Sequence, residues 1–168
     1  MPLFSELFIK SGSQTIVYND KVIHRAISLK APKKIRAVLK FVKKKSPYPQ
    51  GVSFNMFTME GSLTCNRTTI TKGGFSIWQN HAPRRVIIDA DIKYGELCIF
   101  NFSETTDYRG VKCEVSLDMG SCFYYEEIGK NKYRCYCNDW EPDDDFDDLI
   151  FDIEFIDLED QSKIVEIE

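Results

Sequence analysis

The sequence lacks the signals of several large classes of protein. Its N-terminal segment, MPLFSELFIKSGS, has no basic stretch followed by an apolar core, so it does not read as a secretory signal peptide. No apolar run approaches the roughly 20 residues that a transmembrane helix needs. We therefore expect a protein that is cytoplasmic or exported by a route that needs no signal peptide.

Motifs for catalysis are also scarce. The chain has two histidines, His24 and His81, and neither lies beside a recognisable nucleophile motif. There is no glycine-rich phosphate-binding loop and no HExxH helix, and Gly73-Gly74 reads as a turn. Carboxylates are numerous enough for a glycosidase pair, but their pattern does not define a separation. The sequence thus predicts a protein that is not an enzyme.

The six cysteines carry no strong metal signature. Without an export signal we expect them to be reduced and mostly buried. Cys135 and Cys137 are two residues apart and would share one face of a strand. A disulfide pair and a zinc site are the alternatives, although CxC lacks the paired CxxC spacing that characterises zinc sites.

Length and composition indicate one globular β domain. The 168 residues suit a single domain, 1–168, with a proper core. Twelve Phe and eight Tyr, together with Val, Ile and Thr, favour strands. Apolar residues alternate with a period of two, and turn residues recur about every 8–12 positions. This pattern predicts an all-β fold, an antiparallel β-sandwich of Greek-key or jelly-roll type.

The turn residues divide the chain into many short strands. Asn19-Asp20 is expected to join two of them, and Lys72-Gly73-Gly74 indicates a hairpin. Ile35–Lys45 is the one segment that a helix would also explain, and the prolines after Ser46 would end it. The predicted strands are Leu3–Ile9, Thr15–Tyr18, Val22–Leu29, Ile35–Val42, Val52–Met59, Ser62–Cys65, Thr68–Thr71, Phe75–Trp78, Arg85–Ile92, Glu96–Phe102, Val111–Leu117, Cys122–Glu127, Lys132–Cys137, Leu149–Ile156 and Lys163–Ile167.

Acidic and basic residues are segregated along the chain. The formal net charge is −4, yet seven carboxylates lie between Asp139 and Asp148, which leaves the rest at +3. Ten Lys or Arg and no Asp or Glu lie between Lys21 and Lys45. This basic segment could meet nucleic acid or an anionic membrane. It could equally be a lysine-decorated edge strand, or a face packed beside the acidic loop.

The acidic loop, residues 138–148, reads NDWEPDDDFDD and is followed at once by an apolar strand. At an effective dielectric of about 20, each pair of carboxylates about 4–5 Å apart costs several kcal/mol. A hard divalent cation with six to eight oxygen ligands would relieve this repulsion. The spacing Asp143-x-Asp145-x-Asp147 suits a chain that wraps an ion, and Phe146 could pin the loop to the core.

Two other interpretations of the loop compete with a wrapped ion. An EF-hand would place Asp143 first and Glu154 twelfth, but its sixth position is Asp148 where glycine is needed for its positive φ. Both flanks also read as strands rather than helices. The second alternative is a solvated acidic turn that protects a sheet edge from aggregation.

The run from Asp139 to Asp148, with Phe146 as its aromatic, resembles the signature loop of the two-calcium fucose- and mannose-binding bacterial lectins of the Pseudomonas type. A similar run, DxDFxDLxF, occurs in calcium-binding sandwich modules of repeat-toxin adhesins. The resemblance covers about a dozen residues. It implies bound Ca²⁺, a carbohydrate ligand and a role in recognition or adhesion.

The resemblance also implies a set of site residues. Vicinal sugar hydroxyls would complete the coordination of two calcium ions, with Asp143 and Asp145 at the ligand and Asn101 contributed by another strand. The metal ligands that it implies are Asp139, Asp143, Asp145, Asp147 and Asp148.

Two further functions fit the segregated charges. One is an immunity- or inhibitor-type interaction module, not an enzyme, whose acidic loop binds a basic protein partner. The other is calcium-dependent docking on an anionic membrane. Among the possible partners, nucleic acid is the one that we expect least.

Overall fold

A computed structural model describes residues 3–115, 120–141 and 143–168. The described part of the chain contains one helix and fourteen strands. In chain order they are α1 (Phe4–Ser11), β1 (Thr15–Tyr18), β2 (Lys21–His24), β3 (Ile27–Lys30), β4 (Lys33–Lys44), β5 (Gln50–Asn55), β6 (Glu60–Cys65), β7 (Thr68–Ile70), β8 (Gly74–Trp78), β9 (Val86–Tyr94), β10 (Glu96–Thr106), β11 (Lys112–Val115), β12 (Cys122–Gly129), β13 (Lys132–Asn138) and β14 (Leu149–Asp157).

The strands form two antiparallel sheets that pack face to face. The larger sheet has the order β1-β2-β12-β13-β14-β4-β9-β6-β7, and the smaller has the order β11-β10-β5-β8, with β3 also paired to β10. One apolar cluster lies between them and includes Leu39, Phe54, Ile99 and Phe151, each fully buried. The predicted all-β antiparallel sandwich is confirmed. No helix in the described ranges is long and apolar enough to cross a membrane.

Strand β14, which follows the acidic loop, alternates as its sequence predicts. Leu149, Phe151, Ile153 and Phe155 are at most 1% exposed and face the core. On the other face, Asp152 accepts two hydrogen bonds from the guanidinium of Arg134 on β13. Since both elements flanking the loop are strands, an EF-hand is excluded.

The N-terminal segment is a helix, so the strand predicted over Leu3–Ile9 is wrong. Phe4 and Phe8 are one helical turn apart, and both are buried in a second, smaller cluster with Ile23, Cys122 and Phe146. Gly12 ends the helix in a left-handed conformation, φ 63°, and its N–H bonds the carbonyl oxygens of Phe8 and Ile9. The apolar pattern of this segment fits a strand as well as a helix. The helix forms because it buries Phe4 and Phe8 together in this cluster.

Local sequence patterns were misleading at two places because they do not show which strands pair. Strands β7 and β8, on either side of Lys72-Gly73-Gly74, belong to different sheets, so the predicted hairpin is a crossing between sheets. The predicted strand Val22–Leu29 is likewise divided into β2 and β3, which join different sheets.

Two other segments differ from prediction. Lys163–Ile167 is not a strand, although the side-chain oxygen of Asn131 accepts a hydrogen bond from the N–H of Val165 and holds the segment against the core. The end of the predicted strand Val111–Leu117 lies outside the described residues. Ile35–Lys45, for which a helix was the alternative, lies almost wholly in β4, whose neighbours on both sides supply its hydrogen bonds.

All six cysteines are free. Cys122, Cys135 and Cys137 are fully buried. Burial raises the pKa of Cys135 and Cys137 well above the ordinary value, which keeps both thiols neutral. Neutral, buried thiols are poor zinc ligands, because zinc binds the thiolate.

Candidate metal centre

The acidic loop connects β13 to β14 at one end of the sandwich. The two strands pair up to Cys137 and Leu149, so the loop begins and ends on neighbouring positions of the larger sheet. On its other side β14 pairs with β4, and Leu149 lies opposite Lys44. The basic end of β4 therefore lies directly beside the acidic loop.

Three carboxylates of the loop converge. Asp143, Asp145 and Asp148 each place one oxygen within 4.8 Å of the other two. Two oxygens bound to one Ca²⁺ at about 2.3–2.6 Å are at most about 4.6–5.2 Å apart, so these three can share one ion. In addition, Oδ1 of Asp143 is buried and has no hydrogen-bond partner among the residues that the structure describes. We call these three residues the acidic triad.

The acidic triad carries more negative charge than its surroundings neutralise. Burial, with repulsion from Asp139, Asp143 and Asp145, raises the pKa of Asp148 to about 7. Burial and the neighbouring carboxylates also raise the pKa of Asp143 to about 6. Both carboxyl groups therefore hold protons at pH values where an ordinary aspartate is ionised. A divalent cation would stabilise the ionised forms instead.

Lys45 partly neutralises the exposed side of the loop. Its Nζ lies 3.3 Å from Oδ2 of Asp145 and 3.1 Å from Oδ2 of Asp147, while Nζ of Lys43 lies 4.0 Å from Asp147. Burial acts to raise the pKa of Asp145, but hydrogen bonds from Asp147 and Lys45 outweigh it and lower that pKa. The basic segment thus packs beside the acidic loop, one of the two structural alternatives. The other, an edge strand, is wrong because β4 lies inside the larger sheet.

Asp147 and Asp139 lie outside the acidic triad. Asp147 binds the two lysines. Asp139 is 2% exposed, and its carboxylate accepts hydrogen bonds from the N–H of Glu141 at 2.8 Å and from the hydroxyl of Ser46 at 2.9 Å. Its own N–H donates to Oδ2 of Asp148 at 2.8 Å. Asp139 therefore holds the two ends of the loop together.

Asn101, on β10 of the smaller sheet, lies beneath the base of the loop. It is fully buried, and its Nδ2 donates to the carbonyl oxygen of Asn138 at 3.1 Å. Within the described ranges its Oδ1 has no hydrogen-bond partner, and the same is true of the side-chain oxygens of Asn138, Gln50 and Ser103. A buried polar layer thus lies between the sheets at this end, under the loop.

Phe146 anchors the loop, as its position among the aspartates predicts. It is 2% exposed and makes edge-to-face contacts with Phe4 of α1 and Tyr124 of β12, both at 5.4 Å between ring centroids. Its φ of 52° lies in the left-handed region. Burial of the ring offsets the cost of this backbone conformation, which is of order 1 kcal/mol for a residue with a Cβ.

Several residues of the site gave no signal in the sequence. The hydroxyl of Ser46 holds Asp139, and the hydroxyl of Tyr48 donates to Oε1 of Glu141 at 2.9 Å. Both lie about ninety residues before the loop in the chain. Only the pairing of β4 with β14 brings them together.

In comparisons with known proteins, the chain matches no family model, no curated protein and no solved structure.

Proposed function

We propose that the protein is a calcium-dependent recognition module without catalytic activity, and that its acidic loop binds Ca²⁺ and presents it to carbohydrate hydroxyls. The observation that carries the proposal is the convergence of the acidic triad, with one buried oxygen on Asp143 that has no hydrogen-bond partner in the described part of the chain. Asp143, Asp145 and Asp148 would hold the ion. Asp139 and Phe146 would hold the loop in shape around it.

The triad would leave coordination positions open. Ca²⁺ takes six to eight oxygen ligands, and three carboxylates that bind through one oxygen each supply three of them. The side chain of Asp145 is 44% exposed, so the ion would be accessible from solvent on that side. Two neighbouring hydroxyls of a sugar could replace water there. This is why carbohydrate is the ligand class that we propose.

Thermal melting tests the metal. We expect the midpoint of the wild-type protein to rise in Ca²⁺ relative to chelator, and to rise less in Mg²⁺. At a calcium concentration of 100 Kd the gain would be about 2.7 kcal/mol, or roughly 5–11 °C for a domain of this size. Asp145→Asn should lose most of the gain, whereas Asp144→Asn, which removes the same charge outside the triad, should keep it. An unchanged wild-type midpoint would refute calcium binding.

A glycan array tests the ligand. Carbohydrate binding that is present in Ca²⁺ and lost in chelator is the expected result. Binding to anionic vesicles in place of glycans, with the same sensitivity to chelator, would show that the ion serves membrane docking.

One observation favours a second function, recognition of a basic protein. Asp145 and Asp147 already bind an ammonium group, that of Lys45, at 3.3 and 3.1 Å. A lysine or arginine of a partner could bind the same carboxylates, and such an interaction would need no metal. A complex of this kind would form in the presence of chelator, and its affinity would fall steeply as the salt concentration rises.

A further inference from the structure

A concave site separate from the acidic loop lies where β8 of the smaller sheet faces β6 and β9 of the larger sheet. It is a cavity of about 500 Å³, within the range of small-molecule sites. We call it the Trp78 cavity. Its walls include Ile77 and Trp78 from β8, and Asn66, Ser76, His81 and Arg85 supply polar groups.

The indole of Trp78 packs against the ring of Phe102. The ring of Phe102 on β10 meets it edge to face at 4.7 Å between centroids. Phe102 can lie there because residue 51 is glycine: a Cβ at Gly51 would stand 2.5 Å from Cζ of the phenyl ring. The half-buried indole therefore forms a supported aromatic wall, a surface on which the C–H face of a sugar ring can stack.

The charge of the cavity has one sign. The protein carries 26 Asp and Glu and a net charge of −4, yet none of the carboxylate side chains in the described part of the chain lines this cavity. Arg85 is exposed and forms no ion pair within the described part of the chain. A guanidinium with no partner can bind a carboxylate through two parallel hydrogen bonds. A negatively charged group on a ligand would therefore find a complementary side chain in this cavity.

We propose that the Trp78 cavity binds a carboxylated saccharide, such as a uronic acid residue. The ring stacks on Trp78, the carboxylate binds Arg85, and the hydroxyls meet the hydrogen-bonding groups of Asn66, Ser76 and His81. A guanidinium among several hydrogen-bonding side chains matches a ligand with one carboxylate and several hydroxyls. A phosphate group, with its higher charge, is matched less well.

The Trp78 cavity lies at the same end of the sandwich as the acidic loop. Trp78 pairs with Gly51, and the side chain of the adjacent Gln50 donates to Ser46, which in turn donates to Asp139. A saccharide chain could therefore contact both sites. The inference shares its ligand class with the proposed function but does not depend on calcium, so the two can fail separately.

Tryptophan fluorescence tests the inference, because the chain has two tryptophans and each reports one site. In Trp140→Phe, only Trp78 remains. We expect saturable quenching of this variant by glucuronate in the presence of chelator, and little by glucose or inorganic phosphate. Arg85→Gln should weaken glucuronate binding about tenfold or more, as expected for a lost hydrogen bond to a charged group. Arg84→Gln, a neighbouring arginine outside the cavity, should change it less than twofold.

Isothermal titration of the otherwise unaltered protein and of Arg85→Gln repeats the test without removing a tryptophan. Absence of binding at about 10 mM glucuronate, where a site with a Kd of about 1 mM would be nine-tenths filled, overturns the inference. Equal binding of phosphate overturns it also, since the site would then accept anions in general. In Trp78→Phe, Trp140 reports calcium at the acidic loop, so a failure there concerns the proposed function alone.

Discussion

Asp148→Asn is the substitution that tests the electrostatics of the loop most directly. Asp148 is 7% exposed, and its Oδ2 accepts the N–H of Asp139. An asparagine has the same shape and can accept the same hydrogen bond. The change therefore removes one negative charge from the acidic triad and leaves the loop geometry in place.

The expected effect follows from the pKa of Asp148, which burial and its neighbours raise from 3.8 to about 7. That rise corresponds to about 4 kcal/mol of unfavourable free energy for ionisation in the folded state, at about 1.4 kcal/mol per pH unit. Water screens part of this at a surface loop, so we expect about 2 kcal/mol. In chelator at pH 8, Asp148→Asn should be more stable than wild type by this amount, with a midpoint roughly 4–8 °C higher.

The dependence on pH has a defined direction. Between about pH 4 and 7 the folded state retains the proton of Asp148 and the unfolded state has lost it, so wild-type stability falls as the pH rises through this window. At pH 5 only the first part of this window has been crossed, so the advantage of the variant should be less than half of that at pH 8, and it should vanish below about pH 4. In Ca²⁺ at 100 Kd the order should reverse, because wild type gains about 2.7 kcal/mol that the variant loses in large part.

Chemical denaturation at pH 5 and pH 8, with chelator and with Ca²⁺, measures these differences. Asp144→Asn is the matched control, since Asp144 is exposed and lies outside the triad. If Asp148→Asn is less stable than wild type at pH 8 in chelator, and by the same amount at pH 5, then the carboxylate is already neutralised within the protein. The reasoning about the loop would then be refuted.

Three other predictions concern the same loop. Calcium affinity should rise between pH 5.5 and 8 as Asp143 and Asp148, whose pKa values are about 6 and 7, lose their protons; calorimetry that finds no change contradicts this. Phe146→Ala should cost about 3–5 kcal/mol by urea unfolding, because it empties a buried aromatic site, and a loss below about 1 kcal/mol would show that the ring is no anchor. Lys45→Gln should raise calcium affinity several-fold, since its ammonium group no longer competes for Asp145, while stability in chelator changes by at most about 1 kcal/mol; weaker calcium binding would argue against competition at one site.

The alternation of apolar and polar residues was sufficient to predict the architecture, because a strand that buries one face needs an apolar residue at every second position. Leu149, Phe151 and Ile153 alternate in this way, and all three face the core. The helix at Phe4–Ser11 shows where this reasoning fails. A short segment with mixed periodicity takes the conformation that its neighbours favour, and here the neighbour is Phe146 of a loop far along the chain.

The sequence alone determined that carboxylates are concentrated in one loop before a buried strand, since charge density and apolar alternation are local properties. Which of them converge was decided by the tertiary structure. Ser46 hydrogen-bonds Asp139, and Lys45 binds Asp145 and Asp147 across about one hundred residues of chain. The sequence does not determine which carboxylates converge, because electrostatic interactions depend on distance in space. Strand pairing sets this distance only when the sheet is complete.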